Sequence, residues 1–169
     1  MSYHAVVITC SDRAAADVYE DRSGPVLREG LSELGFEVGD AIIIPDEPDQ
    51  IAGAIDKAVH HGARVVLTTG GTGLGPRDTT VEATMPLLAY EVPGVAEAVR
   101  AKGLSKTPLA SLSRGVAGVI EAPTHRAFVF NAPGSRGGAR DALSVLGPIL
   151  IHLVEQLDGA DHDLSRPAS

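Results

Sequence analysis

The sequence predicts an α/β domain, a three-layer sandwich in which helices flank a mostly parallel central sheet, with a short β-hairpin element. Three observations predict it. Short apolar runs rich in β-branched residues recur along the chain, stretches with helical apolar spacing separate them, and glycine- or aspartate-rich loops follow several of the runs. Such alternation builds βαβ units. Right-handed crossovers then bring the strand C-termini to one edge, where open α/β sheets bind their ligands.

The elements follow in order. His4-Ala5-Val6-Val7-Ile8-Thr9 reads as a buried strand. Leu27, Leu31 and Leu34 mark one face of a helix, with Gly35 where a C-cap belongs. Ala41-Ile42-Ile43-Ile44 is a second strand stopped by Pro45. Ile51, Ile55, Ala58 and Val59 line a second helix, with Asp49 as the expected N-cap and Gly62 closing it. Arg64-Val65-Val66-Leu67-Thr68-Thr69 is the third strand. Thr79-x-x-Glu82 has the form of a capping box opening a third helix, which Pro86 kinks or ends. Pro93 suits a first helical turn, and the helix after it runs to Gly103. Residues 116–120 and 127–131 are two strands joined through Pro123-Thr124-His125, and 141–157 is a final helical stretch interrupted near Pro148.

With 169 residues the chain fits one domain, expected over 1–158, with a flexible tail over 159–169. Hydrophobic residues at 44% and charged residues at 21% are ordinary for a globular protein, so a packed core is expected. No apolar run approaches the roughly 20 residues of a membrane helix, and the N-terminus lacks a basic n-region, so a cytoplasmic location is expected. One cysteine, Cys10, excludes an internal disulfide framework and a cysteine zinc cluster. A net charge of −8 disfavours general binding to nucleic acid or membrane, but local amides and arginines still suit a small phosphate ligand. Aromatic residues at 4%, with no Trp, argue against a site built on stacking and against a flavin carrier.

The edge rule singles out four segments: 10–13, 45–47, 70–78 and 131–140. In Thr69-Gly70-Gly71-Thr72-Gly73, glycines allow positive φ and close backbone approach, so successive N–H groups can cradle an anion, with Thr69 and Thr72 as hydroxyl donors. The loop is not a P-loop: Gly70 and Gly75 have its spacing, but Pro76-Arg77 follows. Without a ligand the same glycines make a tight turn. Asn131-Ala132-Pro133-Gly134-Ser135 repeats the design, with Arg136 or Arg140 as reinforcement or as solvated side chains. Asp46 and Asp78 sit beside these loops. Two carboxylates near phosphates suit Mg²⁺, whereas singly they would be turn residues; Glu47 and Asp49 compete with Asp46 for that role. Ser11, Asp12 and Arg13 read as a helix start or as a polar clamp, with Asp12 accepting from a heterocycle or sugar and Arg13 meeting phosphate. Ser23 is an N-cap or a ligand contact. The scattered histidines support neither zinc nor a catalytic triad.

Taken together, Ser11-Asp12-Arg13, Tyr19-Glu20-Asp21, Ser23-Gly24-Pro25, Pro45-Asp46-Glu47, the 69–73 loop through Arg77-Asp78, Glu91-Val92-Pro93-Gly94, Leu112-Ser113-Arg114 and 131–135 resemble the Mog/MoaB family of molybdenum-cofactor biosynthesis proteins. The motifs follow family order along nearly the whole chain, and mark 1–158 as one molybdopterin-binding domain. The resemblance implies an enzyme, a nucleotidyltransferase in which molybdopterin and ATP give adenylylated molybdopterin and pyrophosphate with Mg²⁺, ahead of molybdate insertion by a partner. A non-catalytic pterin carrier of the same family is the alternative. It also implies catalytic and metal-binding roles for Asp46 and Asp78, a substrate site formed with Gly70, Gly71, Thr72, Gly73, Pro133, Gly134 and Ser135, and a homotrimer. Ala132 and Arg136 depart from the family, which often has Leu and Pro there.

Overall fold

The computed structural model describes residues 2–159. Residues 160–169, most of the expected tail, lie outside the described residues. The elements are β1 (His4–Cys10), α1 (Asp12–Ala15), α2 (Ser23–Glu33), β2 (Glu37–Val38), β3 (Ile42–Ile44), α3 (Pro48–His60), β4 (Val65–Thr69), α4 (Thr80–Thr84), β5 (Tyr90–Glu91), α5 (Pro93–Leu104), β6 (Ala117–Glu121), β7 (Arg126–Ala132), α6 (Arg136–Leu146) and α7 (Leu150–Leu157). Two 3₁₀ turns, Met85–Leu87 and Pro108–Leu112, follow α4 and α5.

Among the described residues the strands form one seven-stranded sheet, ordered β2-β1-β4-β7-β6-β5, with β3 also on β1. β1 pairs in parallel with β2, β3 and β4, and β4 with β7; β6 runs antiparallel to both β7 and β5. The expected second strand is thus the latter half of an interrupted edge: β2 pairs with the start of β1 and β3 with its end. Ile42 and Ile43 remain exposed there, which hydrophobic patterning alone does not signal.

Period-two alternation divides the core. Val7, Leu67, Phe128 and Phe130 face α2, α5, α6 and α7, while Ile8, Val66, Ala127 and Val129 face α3 and α4. Leu27 and Leu31 carry α2 into the first core, and Ile51, Ile55 and Val59 carry α3 into the second. Gly35 and Gly62 follow these helices at φ +92° and +95°, as their C-terminal positions predicted.

Local signals were overridden at three helix ends. Helix α3 begins at Pro48 with Glu47 as N-cap, not Asp49, because Pro48 has no N–H to lose in the first turn. The Thr79–Glu82 capping box does not form. The Thr79 hydroxyl donates to Asp46 O (3.4 Å), and Glu82 pairs with Arg114. The last helical stretch is two helices, and the first starts at Arg136, where Ser135 accepts from Gly138 N (3.0 Å). No helix among the described residues is long and apolar enough to cross a membrane.

Candidate functional site

The register aligns Cys10 with Ile44, Thr9 with Thr69, and Thr69 with Ala132, so the four loops singled out above leave the same edge of the sheet. A fifth segment joins them. Because β6 is antiparallel to β7, the residues preceding it, Ser113 and Arg114, arrive at that edge too.

The first glycine loop takes a conformation that needs glycine. Gly70 has φ +91° and Gly71 φ +67°. A Cβ on Gly70 would collide with the Cys10 carbonyl; on Gly71 it would collide with the Thr80 hydroxyl and stand 3.2 Å from Asp46 Oδ1. Hydrogen bonds hold the loop in that place. Thr80 Oγ1 donates to Gly70 O (2.9 Å). Arg114 donates from its backbone N to Thr72 O (2.9 Å), from Nε to Gly73 O (2.8 Å) and from Nη2 to Asp78 O (2.9 Å). Its ion pair with Glu82 holds that carboxyl below its ordinary range. Thr69 Oγ1 donates to Pro133 O (2.9 Å) and lies 3.0 Å from Ser23 Oγ, so this hydroxyl ties the two glycine loops together. Thr72 is buried.

Asp46 follows β3 and meets Asp12, which follows β1. Asp12 N donates to Asp46 Oδ2 (3.0 Å), and Asp46 N donates to Asp12 Oδ1 (2.9 Å). Asp46 Oδ1 is buried with no hydrogen-bond partner. Burial raises the Asp46 pKa; the bond from Asp12 N opposes this, and the charges of Asp12 and Asp78 add to it. Asp78 lies against the far side of the loop, where its Oδ2 accepts from Gly75 N (2.9 Å) and would stand 2.8 Å from a Cβ on Gly73. Of the competing acids, Glu47 accepts from Arg77 Nη2 (2.8 Å), and Asp49 is exposed in the first turn of α3.

A polar cavity of about 350 Å³ opens beside the loops. It is lined by Ser11, Ser23, Thr69, Gly70, Gly134 and Ser135 from the predicted set, and by Thr9, Tyr19, Asp21, Arg22 and Arg136. Ser11 caps α1 by accepting from Ala14 N (3.2 Å). Ser23 is buried inside the first turn of α2 and is not its N-cap; Asp21 performs that service by accepting from Gly24 N (3.0 Å), while its other oxygen accepts from Thr9 Oγ1 (2.7 Å). Arg13 is exposed, and its guanidinium lies 5.1 Å from the centre of the Tyr19 ring, with Arg22 5.8 Å from the same ring. An aromatic surface therefore stands at the cavity despite the low aromatic content.

Across the second glycine loop is an apolar cavity of about 270 Å³, walled by Ala96, Val99, Gly103, Ala110 and Phe130. Arg100 and the Lys106–Asp141 ion pair also line it. Pro133, Gly137 and Gly138 face this cavity, Gly134 and Arg136 face the polar one, and Ser135 borders both. Ala132 is buried within β7.

The roles of Arg77, Arg114 and Asp21 were missed by sequence reasoning. Each stood in a recognised motif, but nothing in the local pattern says that Arg77 turns onto the Asp12 and Glu47 carboxylates, Arg114 onto the backbone of Gly73 and Asp78, or Asp21 onto the Thr9 hydroxyl. Adjacency to Asp78, to the β6 edge and to Gly24 was the available signal.

In sequence and fold the chain is similar to known proteins. Residues 6–152 match the family model described as a probable molybdopterin binding domain. A molybdenum cofactor biosynthesis bifunctional protein of Synechococcus elongatus is 44% identical over 94% of this chain and 48% of its own length; the chain spans about half the length of such bifunctional relatives. A molybdopterin adenylyltransferase of Pyrococcus furiosus is 37% identical over 88% of each chain. Among solved structures, the MoaB of Thermus thermophilus superposes with a TM-score of 0.84 at 40% identity over 99% of both chains. The Mog protein of Mycobacterium ulcerans gives 0.85 at 38%, over 92% of this chain and 99% of its own. The chain therefore belongs to the Mog/MoaB family of molybdopterin-binding domains.

Proposed function

We propose that this chain adenylylates molybdopterin. A phosphate oxygen of the pterin attacks the α-phosphorus of ATP, the new P–O bond forms as the α–β bridging bond breaks, and pyrophosphate leaves. The observation that carries this reading is Asp46 Oδ1, a buried carboxylate oxygen without a partner, facing a glycine loop that Asp78 borders on its other side. A native protein leaves such an atom unsatisfied at a cost, which a catalytic role, an ordered water or an ion explains.

Group transfer at phosphorus asks for alignment and charge stabilisation more than for a strong nucleophile. The backbone N–H groups of 71–73 and 134–135 suit the phosphates, aided by Ser11, Ser23, Arg13 and Thr72; Pro133 has no N–H, and that of Gly70 is spent on Ala132 O. The two cavities share Ser135, while Asp46 and Asp78 stand outside both linings. Among the described residues no group of three or more metal-ligating side chains gathers. Mg²⁺ at nucleotides needs only one or two carboxylates beside phosphates and water, so Asp46 and Asp78 fit as its holders. When bound, it would neutralise phosphate charge. Relatives named molybdopterin adenylyltransferase at 37% and 35% identity support the same chemistry. A homotrimer, a cytoplasmic setting and hand-over to a molybdate-inserting protein belong to this proposal; the bifunctional relatives, about twice as long, support a nearby second activity.

The test is to mix the protein anaerobically with molybdopterin, ATP and Mg²⁺, and to follow adenylylated pterin and pyrophosphate together. Both products are expected in equal amounts. Tight molybdopterin binding with neither product would assign the carrier role instead.

A further inference from the structure

We propose that Asp12 is a positioning residue for Asp46, locked by Arg77, and does not serve as a clamp on the substrate; the inference rests on the reading of Asp46 as an acid of the reaction. Its basis is a closed ring of bonds at the ends of two adjacent strands. Asp12 N holds Asp46 Oδ2 (3.0 Å), and Asp12 Oδ1 accepts from Asp46 N (2.9 Å). The Asp46 carboxylate is thereby held through one oxygen, which leaves Oδ1 as the atom turned toward Gly71.

Two adjacent carboxylates repel, so this ring needs a cation. Arg77 supplies it. Its Nε donates to Asp12 Oδ2 (2.9 Å) and its Nη2 to Asp12 Oδ1 (3.0 Å), the paired geometry that suits guanidinium and carboxylate. Nη2 also donates to Glu47 Oε1 (2.8 Å), which ties the arginine to the start of α3. Both Asp12 oxygens are engaged by the protein itself. Together they accept three hydrogen bonds from the protein, two of them from Arg77, and displacing Arg77 would loosen Asp46. Lysine at 77 would keep the charge and lose the fork.

The experiment compares Asp12→Asn, Asp12→Ala, Arg77→Lys and Asp46→Asn, singly and with each of the first three combined with Asp46→Asn, in the pyrophosphate-release assay. Circular dichroism establishes that each variant is folded. Partners of this kind cost about 10- to 100-fold when removed. Asp12→Ala should lose kcat toward the upper end of that span. Asp12→Asn keeps an acceptor for Asp46 N, so it should lose less and confirm the result should the alanine variant fold poorly. KM for ATP and for molybdopterin should stay within about twofold, a change confined to kcat. In the Asp46→Asn background the Asp12 and Arg77 substitutions should have no further effect, since they act through Asp46.

A rise in either KM with kcat unchanged would overturn the proposal, because it would place Asp12 on the substrate. Full additivity with Asp46→Asn would overturn it as well. Should Asp46→Asn alone leave turnover intact, the reading of Asp46 fails; should Asp46→Asn abolish turnover while Asp12→Ala does not lower it, only the positioning role fails.

Discussion

The two glycine loops of this domain look alike in sequence and are built differently. The first, after β4, carries Gly70 and Gly71 in the left-handed region, pressed against Cys10, Thr80 and Asp46. Three donors of Arg114 and the Thr80 hydroxyl hold its carbonyl groups. In the second, after β7, neither Gly134 nor Gly137 nor Gly138 has positive φ; a Cβ at Gly138 would meet the Pro133 ring and one at Gly134 would stand 3.1 Å from Gly70 Cα, while Gly137 has open space around it. Its order comes from Ser135 capping α6 and from the bond between Thr69 and Pro133. Both loops bring glycines into close approach, but only the first also needs left-handed backbone, and only the second is ordered by a helix cap. Left-handed, closely packed backbone is concentrated beside Asp46 and Asp78.

The largest effect should come from the acids of the first loop. Asp78→Ala is expected to lower kcat for pyrophosphate release by about 100-fold or more while the fold, followed by circular dichroism, stays intact. Unchanged turnover would remove Asp78 from the mechanism. Asp46→Asn should lower kcat on the same scale without loss of stability. Burial raises the Asp46 pKa, so the stability linked to its protonated form is present below the unfolded value and lost as pH rises through the folded one. The amide removes that loss, and Tm at pH 7 should be equal or higher.

The backbone contrast is tested next. Gly71→Ala puts a Cβ at φ +67° against the Thr80 hydroxyl and should destabilise by about 1–3 kcal/mol in urea unfolding. A value near zero would mean that the first loop is no more constrained than the second. Ser135→Ala removes the α6 cap and should cost about 1 kcal/mol in the same assay. Gly137→Ala, in the first turn of α6 with open space around it, should stabilise by about 0.5–1 kcal/mol.

The smallest effect concerns Cys10, whose carbonyl meets Gly70. Burial pushes its thiol pKa up to about 12, with the Asp46 charge adding to the rise, so the thiol stays neutral at pH 8. Iodoacetamide should leave Cys10 unmodified in the folded protein and alkylate it after denaturation. Fast labelling of the native protein would show that the first loop opens readily.

Much of the fold was legible because its signals are local. Buried apolar runs at β1, β4 and β7 and the leucine or isoleucine faces of α2 and α3 read directly. Convergence of the 10–13, 45–47, 70–78 and 131–140 segments then followed from parallel topology. Most of the failures share a cause: a distant partner took over a group that a local rule had assigned. Glu82 left its capping box for Arg114, 32 residues away; at α3 alone the cause was local, the adjacent Pro48 setting the helix start ahead of Asp49. Arg77 meets Asp12 across 65 residues and Arg114 meets Gly73 across 41, separations that no local pattern encodes.

By itself, then, the sequence determined which positions could adopt a left-handed turn, which strands would be buried, and which acids would stand at the ligand-binding edge, because residue type and spacing govern these through sterics and hydrophobic periodicity. Only the tertiary structure decided that Asp46, and not Glu47 or Asp49, turns a bare oxygen to the first loop, and that Thr69 joins the two loops. Those outcomes depend on which hydrogen-bonding groups the packed sheet brings within about 3 Å, the reach of a hydrogen bond.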